Sequence, residues 1–544
     1  MRVHLSKLGL LSILLLSGCG GSSDDVSQAD SIDLNIPQDY EINLDVNNRG
    51  GVYYEIFVRA FADSTQSLDG IGDFRGVEEK IPYLQDLGVE GVWLMPIMES
   101  SSYHGYNVDN YYAVERDYGT MEHFESMMAA FDAANIDVIL DLVINHTGNM
   151  VEYFKKSAAY VTGRDRSPEN ERYADWYTWK DYNPGPGTST QGTYRQFENT
   201  GYYYLANFDG AMPDLNLDNP EVREEILNIA KFWLDKGVHG FRLDATLWFY
   251  ENNTRKNIEF LRWFCEEVKK MHPEAYIVGE TWTGDALVAE YYESGIDSQF
   301  WFGGAEVNGY FHSAALNNNG KLIAQQIVNY DKQIKRFNPN ALNSAFLSNH
   351  DNNRSGGYAA FDRDEGKQKL AASMYLLTPG VPFIYYGEEI GLKGSGRDEN
   401  KRLPMIWQEA HTTHETTPVR GSDYQMRYQV NKGAHDLLEE PFSLTNHYRK
   451  VISIRNEYPG FRRADVEVFD TGIVPFAGLR FIEPSFPNGE IIVIHNVGLE
   501  TRTIDIDPSY VIIEEINTEQ LRPILENGSL TLERNSTVIL TKGS

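Results

Sequence analysis

The stretch PEVREEILNIAKFWLDKGVHGFRLDA, residues 220–245, joins a helix pattern to a strand pattern. Pro220 in the first turn and Gly237 just past the last turn match the residue preferences of helix ends. The apolar positions between them recur at the spacing of one helical face: Val222, Ile226, Ile229 and Trp233. The apolar run GFRLDA at 240–245 follows and carries a charged residue, Asp244, near its end. A helix that leads into a buried strand is the unit from which parallel α/β domains are built.

The same alternation continues on both sides of this stretch. GVWLMP at 91–96 and DVILDLVIN at 137–145 are short apolar runs typical of buried strands. From about residue 50 to 390, such runs alternate with amphipathic helices. This order predicts a parallel α/β domain.

Two segments depart from the alternation. Between His146 and Met212 the periodicity fails and the chain is rich in Tyr, Trp, Asn, Gly and Pro, which predicts a large functional insertion. Its aromatic residues suit either sugar stacking or the packing of a small subdomain. Beyond about residue 458, four alternating patterns predict an antiparallel β domain: EIIVIHNV, TRTIDI, YVIIEEI and STVILTK.

The first residues have the pattern of a targeting segment. Arg2 and Lys7 supply positive charge, and an apolar run at 8–16 precedes Ser17, Gly18 and Cys19. The string LSGC at 16–19 resembles a bacterial lipoprotein signal, which implies cleavage after residue 18 and a lipid on Cys19. The polar segment at 19–48 then forms a flexible tether. We therefore expect an exported protein, lipid-anchored at a bacterial periplasmic face or cell surface; the alternative is a plain cleavable signal with an incidental cysteine.

The charge composition limits the classes of partner that the protein can bind. The chain has 48 Lys and Arg residues against 79 Asp and Glu, a formal net charge of −31. Such a surface repels phosphate backbones, which argues against nucleic acid, and repels anionic lipid headgroups, which leaves the lipid on Cys19 as the expected membrane contact. A neutral sugar substrate fits this charge, as does an acidic surface kept for solubility. Cys265 lies in the helical pattern IEFLRWFCEEVKKM, which predicts a buried structural thiol.

Four strings each end an apolar run with a charged group: DLVINH at 141–146, GFRLDA at 240–245, VGETW at 278–282 and FLSNHD at 346–351. Hydrolysis of a glycosidic bond needs one carboxylate at the reacting carbon and one protonated carboxyl beside the departing oxygen. In a parallel barrel the strands deliver such groups to the C-terminal face, so these acids could share one pocket. Taken singly, each acid could instead cap a helix or neutralise a neighbouring arginine.

Together and in this order, the four strings resemble the catalytic segments of the α-amylase family of glycoside hydrolases. Further segments also resemble that family: GVEEKIPYLQDLGVEGVWLMPI, YHGYNVDNY, MPDLN and TPGVPFIYYGEEIGL. The resemblance implies a (β/α)8 TIM barrel at 49–145 and 213–457, an inserted subdomain at 146–212 after the third strand, and a C-terminal antiparallel β-sandwich at 458–544.

The resemblance also implies residue roles. Asp244 would be the nucleophile that forms a covalent glycosyl-enzyme, Glu280 the general acid/base with a raised pKa, and Asp351 the third carboxylate, which holds and distorts the sugar. Arg242 would place its positive charge beside Asp244. The expected substrate-binding residues are His104, Tyr106, His146, Arg242 and His350.

The loop ADSTQSLDGIGDFRG at 62–76 resembles a calcium loop found in many members of this family. Asp63, Asp69, Asp73 and the carbonyl of Ile71 are the expected Ca²⁺ ligands. The segment at 64–68 offers no carboxylate, so a metal-free turn is the alternative reading.

The expected activity is retaining, endo-acting hydrolysis of α-1,4-glucosidic bonds in starch-derived glucans and maltooligosaccharides. Leu247 and Trp248 replace the Lys-His pair of typical α-amylases, and MPDLN resembles a group intermediate between oligo-1,6-glucosidases and neopullulanases. Asn107 stands where many exo-acting glucosidases carry Asp, which favours internal cleavage. The alternatives are an α-glucosidase, a neopullulanase or cyclomaltodextrinase, a transglycosylase, and a non-catalytic glycan-binding relative.

Overall fold

The computed structural model describes residues 51–185, 192–251, 253–409, 415–518 and 522–543. The predicted signal peptide, the predicted tether and Cys19 lie outside these ranges. Within them, every helix is too short or too polar to cross a bilayer.

Eight parallel strands form one sheet at the centre of the molecule. Backbone N–H groups of Val381 and Phe383 donate to the carbonyls of Asn343 and Ala345, at 2.7 and 2.9 Å, and so join the ends of the sheet. The prediction of a (β/α)8 barrel is confirmed. The barrel strands, numbered one to eight in chain order, are Tyr53–Ile56, Gly91–Leu94, Asp137–Leu142, Gly240–Leu243, Tyr276–Gly279, Ser298–Phe300, Leu342–Ser344 and Phe383–Tyr385. Neighbouring strands in the sheet follow the order 7-6-5-4-3-2-1-8.

Helices surround the sheet. The main ones are Phe74–Glu79, Ile81–Leu87, Met121–Ala133, Pro220–Leu234, Thr254–Met271, Asp285–Tyr291, Gly320–Phe337, Glu365–Leu376 and Leu444–Glu457. In Pro220–Leu234, the side chain of Asn219 caps the first turn, and the predicted apolar face, which includes Trp233, is buried. Cys265 is buried in Thr254–Met271, as predicted.

Large side chains fill the inside of the barrel. Tyr53, Trp93, Ile139 and Phe300 belong to one buried cluster contributed by the first, second, third and sixth strands. The inside of the barrel is therefore a packed core and not a channel, as in other barrels of this type. Polar groups at the carboxyl ends of the strands therefore meet at one rim, above the apolar filling.

Shorter elements lie in the connecting loops. A two-stranded hairpin of Met98–Ser100 and Val108–Val114 follows the second barrel strand. The short helices outside the insertion are Val58–Phe61, Tyr310–Asn317, Asp398–Lys401 and Ala434–Leu438.

In its described residues, the insertion after the third strand contains a small antiparallel sheet, two α-helices and a 3-10 turn at Ala174–Trp176. The elements are Glu152–Val161, Pro168–Glu171, Trp179–Lys180, Tyr194–Gln196 and Tyr203–Leu205. Phe154 packs against Trp179, Phe197 and Tyr204, with ring centroids 4.9 to 6.0 Å apart. Most of these aromatic residues thus pack the subdomain itself, which was one of the two readings of the sequence.

The C-terminal region consists of two antiparallel sheets. The five-stranded sheet has the order Asp465–Val468, Phe476–Ile482, Glu490–Asn496, Thr537–Lys542, Tyr510–Ile516, and the three-stranded sheet the order Arg502–Asp505, Ser529–Leu532, Ile524–Glu526. Ile492 and Val538 of the first sheet share a buried core with Ile504 and Leu530 of the second. The predicted C-terminal sandwich is confirmed, while the domain boundaries proposed from the sequence stay predictions.

Candidate active site

A cleft of about 370 Å³ opens at the carboxyl ends of the barrel strands. The three carboxylates singled out in the sequence, Asp244, Glu280 and Asp351, all line it. They follow the fourth, fifth and seventh strands, so the barrel brings together residues up to 107 positions apart in the chain. The other lining residues are His104, Tyr106, His146, Phe208, Met212, Ala245, Leu247, Trp248, Trp282, Asp398 and Arg402.

Arg242 holds three carboxylates around one buried guanidinium. Its Nη1 donates to Asp244 Oδ1 at 2.7 Å and to both carboxylate oxygens of Asp141 at 2.9 and 3.1 Å. Its Nη2 lies 2.9 Å from Glu280 Oε1, although the two groups are not aligned for a hydrogen bond. Burial opposes the charge, but the Asp141 and Glu280 carboxylates raise the pKa of Arg242 well above its ordinary value. The guanidinium therefore stays charged and fixes Asp244 and Glu280 near each other.

Glu280 is the carboxyl best suited to carry a proton at neutral pH. Burial raises its pKa to about 8, and the nearby charges of Asp244 and Asp351 act in the same direction, against the effect of Arg242. A group with this pKa is protonated below about pH 8 and can donate to a leaving oxygen. The direction of the shift agrees with the expectation from the sequence.

The residue after Asp244 has an unusual backbone. Ala245 adopts the left-handed conformation, with φ 52° and ψ 39°, which a non-glycine residue rarely takes. In this conformation its N–H donates to Glu280 Oε2 at 3.0 Å. The strained turn at Ala245 thus links Asp244 and Glu280, because it directly follows Asp244 in the chain and its N–H binds the Glu280 carboxyl group.

Asp351 lies between two cations. Its Oδ2 is 3.0 Å from His350 Nε2, and its Oδ1 accepts from Arg402 Nη2 at 3.0 Å. Burial opposes the ionised form, but the charges of His350 and Arg402 hold the pKa of Asp351 well below its usual range. Asp351 is therefore an anion beside a protonated Glu280.

Two histidines line the cleft. Nδ1 of His104 accepts from the backbone N–H of Tyr106 at 3.2 Å, so the ring proton is assigned to Nε2. Burial lowers the pKa of His104 to about 4, so the ring is neutral. His146 is buried with a pKa also lowered by burial, and its Nε2 bonds to nothing among the described residues. Both rings can exchange hydrogen bonds with sugar hydroxyls.

The other three expected sugar contacts are placed differently. Tyr106 lines the cleft, but its hydroxyl donates to Asp141 Oδ2 at 2.8 Å. Arg242 and His350 are fully buried behind the cleft wall, where they contact carboxylates. Direct contact of these two residues with a sugar stays a prediction, and their observed partners are the acids.

Sequence reasoning missed several polar residues of this site. Asp141 was part of the string DLVINH but was given no role, and Glu55 was visible as a lone charge inside the apolar run VYYEIFV. Arg402 and Asp398 come from the loop after the eighth strand, where no periodicity marks them. Asp398 accepts from the Tyr103 hydroxyl at 2.8 Å and also bonds Arg402.

Exposed aromatic rings lie on the rim of the cleft. Trp248 is 37% exposed and packs edge-on against Phe208, with ring centroids 5.5 Å apart. Trp282 is 44% exposed and stacks on Phe302 at 4.9 Å. Flat apolar faces of this kind suit the apolar faces of glucose rings.

The expected calcium ligands are engaged elsewhere. Asp63 accepts from the backbone N–H groups of Leu68 and Gly70, and Asp69 from that of Ile71. Asp73 caps the helix Phe74–Glu79 and accepts from Ser64. Among the described residues, no three His, Cys, Asp or Glu side chains are grouped so that they could hold a metal ion. The residues as placed do not fit a calcium cage, and calcium binding stays a prediction.

The hydrogen bonds of this loop predict how calcium affects the Tm of the protein. Because Asp63 and Asp73 already close the loop through backbone and hydroxyl groups, we expect the same Tm in calcium and in EGTA. Thermal unfolding followed by circular dichroism measures this. A Tm raised by calcium in the parent protein, and unaffected by calcium in Asp63→Asn, would instead support the calcium loop.

Comparison with known proteins gives the family. The α-amylase catalytic-domain family model matches residues 55–464. Alpha-amylase 3 of Dictyoglomus thermophilum is 37% identical over 468 residues, which cover 84% of this chain and 87% of that protein. A 4-alpha-glucanotransferase of Thermotoga neapolitana is 31% identical over 433 residues, which cover 76% of this chain and 89% of that protein.

A solved structure shows the same architecture. Eubacterium rectale Amy13B matches with a TM-score of 0.84 at 33% identity, over 94% of this chain and 97% of that one. With the barrel, the cleft and its three acids, these matches identify the chain as a member of the α-amylase family and a glycoside hydrolase.

Proposed function

We propose that the protein is a retaining, endo-acting enzyme that hydrolyses α-1,4-glucosidic bonds of starch and maltooligosaccharides. The observation that carries this proposal is the arrangement of Asp244 and Glu280 on the guanidinium of Arg242. In retaining glycosidases the two carboxyl groups are about 5–5.5 Å apart, without room for an intervening water. A shared arginine favours such a short separation.

Two steps follow from this arrangement. In the first, a carboxylate oxygen of Asp244 attacks the anomeric carbon while the Glu280 carboxyl protonates the departing glycosidic oxygen. A covalent glycosyl-enzyme forms and the shortened chain leaves. In the second, the Glu280 carboxylate takes a proton from a water molecule, whose oxygen attacks the same carbon and releases Asp244.

The remaining groups position the sugar. Asp351 is an anion that can accept hydrogen bonds from two sugar hydroxyls, while His104 and His146 offer neutral rings. Hydrogen bonds that strengthen as the sugar flattens lower the barrier, since they stabilise the transition state more than bound substrate.

The cleft extends beyond the acids. Trp248 also lines a second cavity of about 340 Å³, which includes Asn216 and Tyr250. Trp282 widens the rim with another exposed ring. A site that continues past the reacting bond suits a long chain, and Asn107 replaces the aspartate expected of a site that grips a chain end. These features support internal cleavage.

Transfer of the glycosyl group to a second sugar is the alternative that an observation favours. Leu247 and Trp248 present apolar surface in the cleft, where a sugar acceptor could compete with water. The similar Thermotoga neapolitana protein bears the name 4-alpha-glucanotransferase.

Timed chromatography of the products from starch, pullulan and short maltooligosaccharides tests the proposal. An endo-hydrolase gives mixed maltooligosaccharides from starch at early times. Glucose as the sole early product would indicate an α-glucosidase, chains longer than the substrate a transglycosylase, and rapid pullulan cleavage a neopullulanase. Any of these three outcomes would contradict the proposal.

Trp248→Ala should affect long substrates more than short ones. Loss of one stacking surface costs about 1 kcal/mol, so we expect kcat/KM for maltohexaose to fall about fivefold. The value for maltotriose should fall less. Tyr428→Ala removes an exposed aromatic ring outside the cleft and should change neither value. Equal losses on both substrates would contradict a role of Trp248 in binding the longer chain.

We further propose that the enzyme is exported and held at a bacterial membrane through a lipid on Cys19. The support is the LSGC string at 16–19, which follows the positive charges of Arg2 and Lys7 and the apolar run at 8–16. Incorporation of labelled fatty acid into the parent protein, but not into Cys19→Ala, tests this. Equal labelling of the two would refute it.

A further inference from the structure

Glu55 is a buried acid with no role in the two chemical steps. It lies in the first barrel strand, within the apolar run VYYEIFV, and is 1% exposed. Its Oε1 lies 2.6 Å from Nδ1 of His350. A buried carboxylate needs such a partner, because burial of an unpaired charge is costly.

The second nitrogen of His350 also faces acceptors. Nε2 lies 3.0 Å from Asp351 Oδ2 and 2.7 Å from the hydroxyl oxygen of Tyr106. The Tyr106 hydroxyl has its own acceptor, Asp141, so its proton is engaged and its oxygen can accept from Nε2. With Glu55 and Asp351 ionised, both ring nitrogens donate, and only the doubly protonated imidazolium has two N–H donors.

The acids and the aromatic ring that face His350 come from four elements. Glu55 reaches it from the first strand, Asp141 faces it from the third, and Asp351 follows it in the loop after the seventh. Tyr106 stacks on its ring at 5.5 Å from the loop after the second strand. Neutral His104 lies nearby, and the guanidinium groups of Arg242 and Arg402 are bound by acids of the same cluster.

We propose that Glu55 is a positioning residue that keeps His350 as an imidazolium, and so holds Asp351 ionised and oriented for the sugar. This inference rests on the proposed role of Asp351. Burial favours a neutral ring, but the carboxylates of Asp351 and Glu55 raise the pKa of His350 to about 10. At neutral pH a salt-bridged chain Glu55–His350–Asp351 thus runs from the barrel interior into the cleft.

The variant Glu55→Gln tests the charge while keeping the shape. The glutamine oxygen can still accept from Nδ1, but the pKa of His350 should fall toward its ordinary value of about 6.5. As pH rises through that value the ring loses its charge, and Asp351 loses a cation. We expect the alkaline midpoint of the kcat profile to move about one pH unit lower, which means about tenfold lower kcat at about pH 8 relative to about pH 6.

Two further variants separate this effect from loss of packing. Glu55→Asp keeps the charge and should return the alkaline midpoint to the parental value, at a lower rate. Glu389→Gln makes the same chemical change at a fully buried glutamate whose Oε1 accepts from the hydroxyls of Tyr54 and Tyr83. It should leave the midpoint unchanged. An unchanged midpoint in Glu55→Gln, or the same shift in Glu389→Gln, would overturn the proposal.

A measurement on the unmodified protein is independent of both folding of the variants and the assigned activity. In ¹⁵N-histidine NMR at about pH 8.5, ordinary histidines are neutral. Burial also lowers the pKa of His146, His447 and His495. We expect one imidazolium signal with both ring nitrogens protonated, and its loss in His350→Gln. Absence of that signal would overturn the protonation state on which Glu55 acts, even if the hydrolase assignment stands.

Discussion

Asp244→Asn should lower kcat on starch by at least about 10⁴-fold. The amide keeps the size of the side chain and can still accept from Arg242, but it lacks the charge and nucleophilicity of a carboxylate. Arg242 retains its contacts with Asp141 and Glu280, so we expect the variant to fold. Release of reducing ends from starch measures kcat, and circular dichroism verifies the fold.

Asp505→Asn is the matched control. It makes the same change at an exposed position of the C-terminal region and should leave kcat unchanged. A parental rate in pure Asp244→Asn would remove Asp244 as the nucleophile. The configuration of the first product gives a second criterion: a retaining enzyme releases the α-anomer from an α-linked chain, and NMR detection of the β-anomer first would exclude the covalent route through Asp244.

The alternation of strands and helices predicted the parallel α/β domain, and the resemblance to the α-amylase family then implied the barrel and the convergence of its acids. Asp244 and Glu280 each follow an apolar run that is too short for a helix, and parallel strands have their carboxyl ends at one rim. The order of these strings then led to the family. Neither inference required knowledge of side-chain contacts, because strand ends alone bring these positions together.

The partners of those acids could not be predicted in the same way. Asp141 meets Arg242 because the third and fourth strands pair in that register, and pairing register cannot be read from one strand. Glu55 meets His350 across nearly 300 residues, through the closure of the barrel. Arg402 reaches Asp351 from an irregular loop, where neither periodicity nor a strand end marks a functional residue.

The aromatic insertion shows the same limit. Composition allowed either sugar stacking or internal packing, and the two uses require the same residue types. In the structure Phe154 and Trp179 pack inside the subdomain, while Phe208 lies exposed at the cleft. Burial separates the two groups, and burial depends on the tertiary fold of this irregular segment.

Glu280→Gln should lower kcat on starch by about 10²–10⁴-fold, because the amide cannot donate a proton to the glycosidic oxygen. The pH dependence of kcat should show the acid role of Glu280 as well. Burial raises the pKa of Glu280 to about 8, so the acid form is present below that pH and activity should fall as pH rises through it. In Glu280→Gln the residual activity should lack this alkaline decline. Initial rates across the pH range, with Glu274→Gln at an exposed position as control, measure both.

A substrate with an activated leaving group isolates the acid role of Glu280 from general damage to the cleft. A dinitrophenyl maltoside needs little protonation of its leaving oxygen, so the first step should remain fast in Glu280→Gln while the second slows for want of a base. Glycosyl-enzyme on Asp244 should then accumulate, giving a burst of dinitrophenol and a mass increase on the protein. Equal losses on starch and on the activated substrate, with no burst, would mean that Glu280 only shapes the site and that another group supplies the proton.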